Sequence, residues 1–192
     1  DAFHDRLYDP SVSTDEAMRD LVLIARETVG SDFYMLSCSG ETQRDMLFAG
    51  DIFDAARIGG DIFRWSEFVT SGVDRMLSMY PYHNTLLYAD PDNVVIRPKY
   101  NSFDQAVSRV SIVSALGLPF TLGDRLPDLA PDRLALIQHA IPVLDIHPMD
   151  IRENLGDHRQ LIVNLAIATP DEDWNVVDVL NLLETDNRVR VS

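Results

Sequence analysis

Short apolar runs alternate along this sequence with amphipathic stretches of helical period, and almost every run ends in a turn bearing glycine or aspartate. That alternation constrains the fold more than any other feature. Thr14 suits the N-cap of a first helix, with Asp15 and Glu16 in its first turn and Gly30 as its stop. Ala17, Leu21, Ile24, Ala25 and Val29 give this helix an apolar face. Residues 32–38 then read as a buried strand closed by Ser39-Gly40, and 52–58 as a second closed by Gly59-Gly60-Asp61. A helix is predicted over 65–79, a strand over 85–89 ending in Asp90-Pro91-Asp92, and a helix over 103–116. Residues 118–122 form the next strand, ending at Gly123-Asp124, and Pro131 sits in the first turn of a helix reaching His139. Strands joined through helices pair in parallel and are covered by those helices, so the class is α/β. Polar and acidic residues collect where strands end, which is the ligand-binding edge of such sheets.

The tail changes period. Residues 159–168 and 174–183 are strand-like with Thr169-Pro170-Asp171 between them and no helix intervening. A boundary is therefore expected near Pro142–Pro148, with residues 1–146 as the α/β part and 147–192 as the beginning of an antiparallel β domain.

Composition narrows the partners. An apolar fraction of 46% supports a real core and excludes an intrinsically disordered chain. The uncharged stretch Val110–Gly123 is too short to span a bilayer and is broken by Pro119. Acids outnumber bases 31 to 16, giving a net charge of -15, so nucleic acid and anionic membrane surfaces are repelled on average. Asp supplies 24 of the acids and Arg 15 of the bases, a bias that fits either a high-salt habitat or genome composition. Asp1 and the charged residues behind it do not form a signal peptide, and the single Cys38 excludes an internal disulfide. The compartment stays open, with a lean toward the cytoplasm.

The candidate chemistry lies in the strand-end carboxylates Asp1, Asp61, Asp90, Asp92 and Asp124. Two carboxylates across a pocket can hydrolyse a glycosidic bond, one as nucleophile or base and the other as proton donor, provided burial or a neighbouring anion raises the donor's pKa. A strand-end Asp can equally be a cap or a loop hydrogen-bonder. Competing motifs are weaker. Gly59-Gly60 lacks the spacing of a phosphate-binding loop, and Asp90-Pro91-Asp92-Asn93 lacks the glycine and distal glutamate of a calcium loop. The five histidines show no pair at metal-ligand spacing, so no metal is expected. Trp65, Tyr80 and Tyr82 could stack on a sugar, although aromatics on a helix usually belong to the core.

Three stretches, taken in order, resemble the retaining α-galactosidase group, glycoside hydrolase families 27 and 36. DAARIGGDIFRW (Asp54 to Trp65) resembles the segment in which Arg precedes the acid/base Asp by four residues. YADPDNVVI (Tyr88 to Ile96) resembles the Asn-Asp-Pro-Asp strand end, with Ala89 in place of Asn. Ser111 to Ile137 resembles the final helix and strand, where small residues lead to Pro and a Gly/Asn-Asp-Leu turn. Cys38-Ser39-Gly40 also resembles a family 36 strand end, without its following glycines. The resemblance implies an exo-acting retaining glycosidase with a carbohydrate substrate and no cofactor. It implies Asp61 as general acid/base and Arg57 as the residue that holds the sugar and orients the carboxylates. Asp1 falls where the nucleophile belongs, without the Lys two residues earlier. Cys38, Asp90 and Trp65 complete the implied substrate-binding set.

The same resemblance implies a (β/α)8 TIM barrel of ~250 residues, of which this chain matches the C-terminal half, strands four to eight, followed by the start of an antiparallel β-sandwich domain. A half barrel exposes open sheet edges. The missing strands are accordingly expected from a longer gene product, from a separate N-terminal half, or from a second copy in a homo-oligomer. A non-catalytic barrel fragment that binds carbohydrate or a partner is the alternative, and a metal-dependent barrel hydrolase a lesser one.

Overall fold

A computed structural model describes residues 7–143, 146–149, 151, 160–168, 173–183 and 185. Helix α1 (Thr14–Val29) begins one residue earlier than its pattern suggests, because Ser13 rather than Thr14 is the cap. The Ser13 hydroxyl accepts from the Glu16 amide and the Glu16 carboxylate accepts from the Ser13 amide, a reciprocal capping box. Gly30 ends the helix at φ 85°, a conformation that favours glycine. No residue of α1 is buried, and Leu21 and Ile24 stand exposed. Its hold on the rest is polar: Arg26 donates to the Ile52 and Phe33 carbonyls and to Asp54, which also accepts the Met35 amide.

Strands β1 (Leu36–Ser37), β2 (Ala55–Arg57) and β3 (Tyr88–Asp90) pair in parallel in chain order. Pro91 and Asp92 alone separate β3 from β4 (Asn93–Val94), which pairs in parallel with β5 (Thr121–Leu122). The two small sheets are thus consecutive through that kink, with helices as the crossovers. Each observed strand is shorter than its apolar run. Flanking residues such as Ile52 and Leu118 are buried without ladder pairing.

Helix α2 (Gln43–Ala49) was not evident from the pattern and is set by a second capping box, between Thr42 and Asp45. The helix expected over 65–79 has those bounds but runs as α3 (Trp65–Glu67), a π-type stretch Phe68–Gly72, and α4 (Val73–Met79). Gly72 packs closely under Ile62: a Cβ there would lie 2.7 Å from Ile62 Cδ1, so that side-chain end would have to turn aside. Helices α5 (Phe103–Ala115) and α6 (Pro131–Ala140) follow, α5 capped by Ser102 with Gln105. The core joins Ala56 and Ala89 of the strands to Met46, Phe68, Met76, Leu77, Ile112 and Leu116 of the helices. Small strand residues let these larger side chains approach, and each fully buried one contributes about 1.5–3 kcal/mol.

Pairing turns antiparallel at β6 (His147–Met149), which is followed by β7 (Gln160–Ala168) and β8 (Asp173–Asn181) in the order β6-β7-β8. The predicted turn at 169–171 lies outside the described residues. Leu180 and Leu182 are buried in the same cluster as α5, so this sheet packs onto the α/β part.

Candidate active site

Parallel pairing brings the C-terminal ends of β1, β2 and β3 to one edge. Arg57 closes β2, Asp90 closes β3, and the two are in direct register. The Arg57 guanidinium bridges two carboxylates, with Nη2 2.8 Å from Asp92 Oδ1 and 3.0 Å from Asp61 Oδ1. The partners differ sharply in exposure. The Asp92 side chain is 2% exposed and that of Asp61 78%, with Arg57 between them at 17%. Asp92 also accepts the Ile62 amide at 2.6 Å. It occupies the left-handed region at φ 76°, which Asp tolerates better than most residues. Its own amide donates to Asp90 Oδ1 at 3.0 Å.

Burial pushes the Asp90 carboxyl above the usual carboxylate range. The Asp92 charge adds to that rise, while the Asp92 amide and Arg57 oppose it. The Tyr34 phenol, just before β1, is raised as well, first by burial and then by Asp90. A buried carboxyl with a raised pKa, a bridged ion pair and an exposed carboxylate thus share one strand edge. Such a set can hold hydroxyls and move a proton.

Arg57 is paired with Asp61 by its ion pair and with Asp90 by strand register, so these three residues lie at one edge. Cys38 follows β1 at the same edge and is exposed. Asp1 lies outside the described residues. Trp65 is not brought to this cluster: it is 8% exposed and packs on Phe68 with ring centroids 5.5 Å apart, its free edge lining a cleft of about 520 Å³ beside Asn181 of β8. The physical reason is its place in the first turn of α3, whose apolar side faces the core. Asp124 is also apart. Its side chain is 1% exposed and is consumed by the Ile96 and Arg97 amides and the Arg97 guanidinium. A larger open cleft, about 550 Å³, lies at the opposite, N-terminal ends of the strands, lined by Asp54, Asn84 and Tyr88.

One residue beside the cluster, Arg109, was not among the sequence candidates. Asp92 was, as a strand-end acid, and its positive φ is the structural fact that turns it toward Arg57. Arg109 was the lone cation in the apolar α5 pattern, a signal that went unused. It is 1% exposed, donates to the carbonyls of Ile62, Phe63, Asn93 and Val95, and faces the Phe68 ring at 4.9 Å. Burial lowers its pKa to about 10, against the pull of Asp92, Asp124 and Glu67. Among the described residues no group of His, Cys, Asp or Glu is arranged to hold a metal ion, and no helix is long and apolar enough to cross a membrane.

The α/β fold is similar to that of glycoside hydrolase family 27 enzymes. Two solved structures carry that statement, both of a family 27 β-L-arabinopyranosidase from Geobacillus stearothermophilus. An aspartate-to-alanine variant in complex with arabinose matches with a TM-score of 0.61 at 10% identity, and the wild type with 0.57 at 12%. Each match covers 77% of this chain and 38% of the neighbour. No family model and no curated protein matches the sequence. The likeness shows a glycosidase-like fold, and the chain spans well under half the length of the enzymes that display it.

Proposed function

We propose that this chain supplies part of the active site of a retaining exo-glycosidase of α-galactosidase type. The observation that carries the reading is Arg57 bridging Asp61 and Asp92 at the strand edge of a family 27-like fold. Residues 1–146 then form strands four to eight of a (β/α)8 barrel, and 147–192 begin a C-terminal β domain. The remaining strands come from chain or partner outside this sequence.

In this reading the Asp1 carboxylate attacks the anomeric carbon while Asp61 protonates the departing glycosidic oxygen, leaving a glycosyl ester on Asp1. Asp61, now a carboxylate, takes a proton from water, which attacks the same carbon and frees Asp1. Retaining chemistry needs the two carboxyl groups ~5–5.5 Å apart. Arg57 holds Asp61 by one hydrogen-bonded ion pair, and Asp92 fixes Arg57 from below. The buried Asp90 carboxyl is the partner for a sugar hydroxyl in this reading, and Cys38 lines the same edge. Substrate and the missing strands supply the burial that a proton donor at Asp61 requires.

The test is Asp61→Ala in the full-length protein. Hydrolysis of poor leaving groups is expected to vanish while activated aryl glycosides retain far more of their rate, since they need little protonation. Equal loss on both substrates refutes the acid/base role. A panel of aryl α-galactoside, α-N-acetylgalactosaminide and β-L-arabinopyranoside assigns the sugar.

A further inference from the structure

We infer that Arg109 is a positioning residue for Asp61, acting from inside the protein through the backbone of residues 62–64. This inference rests on the acid/base reading of Asp61.

Asp61 follows Gly59-Gly60, and a Cβ at Gly60 would meet nothing within 4 Å. Ile58 and Gly59 are buried and the Ile58 amide donates to the Asp90 carbonyl, so Gly60 is the open link directly before Asp61. After Asp61 the situation reverses. The Ile62 amide donates to Asp92 Oδ2 at 2.6 Å, and the Ile62 carbonyl accepts from Arg109 Nη2 at 2.7 Å. The Phe63 carbonyl accepts from Arg109 Nη1 at 3.0 Å, while the Phe63 and Arg64 amides donate to Glu67 Oε2 at 3.0 and 2.9 Å. Five consecutive backbone groups are thus held by three charged side chains, and none belongs to a helix or strand ladder.

Glu67 acts locally, whereas Asp92 and Arg109 both reach across elements. The same guanidinium holds the Val95 carbonyl at 3.2 Å and that of Asn93 at 3.4 Å, in and beyond β4. It therefore fixes the Asp61 segment to the strand that follows Asp92. Asp92, in turn, holds Arg57, and Arg57 holds Asp61. The direction of the Asp61 carboxylate is set by a closed circuit: Arg109, the 62–63 peptide, Asp92, Arg57 and back. A planar fork is needed, because two nitrogens serve carbonyls on two separate segments at once. A lysine ammonium is a single point and cannot span both pairs.

The experiment compares wild type with Arg109→Lys in the full-length protein by two readouts. The first is amide hydrogen exchange. The Ile62 and Phe63 amides are expected to exchange at least tenfold faster in the variant, while β2 and α5 amides change only with global stability. The second is the ratio of kcat/KM on a poor against an activated aryl glycoside, expected to fall about tenfold with KM little changed. A purely structural role lowers both substrates alike and leaves the ratio fixed. Unchanged exchange at 62–63 overturns the inference. So does an unchanged ratio when Asp61→Ala does alter it. If Asp61→Ala leaves the ratio unchanged, the catalytic reading falls instead, and exchange alone decides whether Arg109 holds the segment. Should Arg109→Lys not fold, Phe68→Leu removes the ring facing the guanidinium. A rise of about threefold in exchange at the same two amides is then expected, and no rise overturns the proposal.

Discussion

Replacing Asp92 with Asn tests the electrostatics of the site with little change of shape. Asn tolerates φ 76° as Asp does, so the backbone stays unstrained and only the charge is lost. At 2.8 Å the attraction between Arg57 and Asp92 is about 6 kcal/mol for an effective dielectric of about 20. Desolvating a side chain that is 2% exposed cancels part of that gain. Removing one partner of such a pair typically costs about 3–5 kcal/mol. Here Asp61 still faces Arg57 and the Asn carbonyl can keep the Ile62 amide, so about 3 kcal/mol is expected. For a chain of 192 residues that lowers the melting temperature by about 6–12 °C. Asp92→Gly adds loss of the acceptor for Ile62, and Asp92→Ala adds about 1–2 kcal/mol more for a Cβ in the left-handed region. The order of stability is therefore wild type, Asn, Gly, Ala, measured as urea midpoints at constant slope. An Asn variant within about 0.5 kcal/mol of wild type refutes the argument, because the buried pair would then contribute nothing net. A double-mutant cycle with Arg57→Met separates the pair from the hydrogen bond to Ile62.

Three further outcomes follow from local geometry. A Cβ at Gly40 would lie 2.6 Å from the Arg57 carbonyl and 2.9 Å from Ala56 Cβ, so Gly40→Ala is expected to cost about 1–3 kcal/mol in urea unfolding. It should lower turnover beyond its effect on stability, since it displaces the end of β2. Burial depresses the pKa of His83, whose Nδ1 accepts the Ala89 amide. The folded state then resists the proton that the unfolded chain accepts, so stability is full above pH 6.5 and declines as pH falls below it. At about pH 5 the loss reaches at most about 2 kcal/mol, and His83→Gln should flatten that part of the urea-midpoint profile. Chelator treatment should leave glycoside hydrolysis unchanged, and lost activity restored by a divalent metal would favour a metal-dependent hydrolase.

The sequence disclosed the order of elements better than their extents. Helix 65–79 and the antiparallel pair β7 and β8 were legible because each carries an unbroken period of its own kind. Strands were overestimated, since an apolar run records burial and not ladder pairing. Helix α2 was hidden because its seven residues bury only Met46 and Ala49, too few for a pattern, while its real determinant is the Thr42–Asp45 cap. Of the site, Asp61 and Asp92 were legible as strand-end acids, and Arg57 through the resemblance of residues 54–65 to a family segment. The pairing of Arg57 with Asp92 and the part played by Arg109 were not, since each is a contact distant in sequence: 35 residues from Arg57 to Asp92, and 47 from Ile62 to Arg109.

Position at a strand end does not by itself separate working carboxylates from structural ones; saturation does. Asp124 and Asp92 both end strands, both are buried, and every direction around them is filled by amides or guanidinium. They cannot turn toward a substrate without breaking the backbone segments they hold. Asp90 is buried as well, and its Oδ1 accepts the Asp92 amide. Asp61 has a single partner and is mostly open. An acid/base residue must exchange its proton with a reacting group in each half of a turnover, so only an unsaturated carboxylate qualifies. The reading proposed for Asp61 therefore requires Asp92 and Asp124 to hold backbone segments in place while Asp61 stays open to a reacting group.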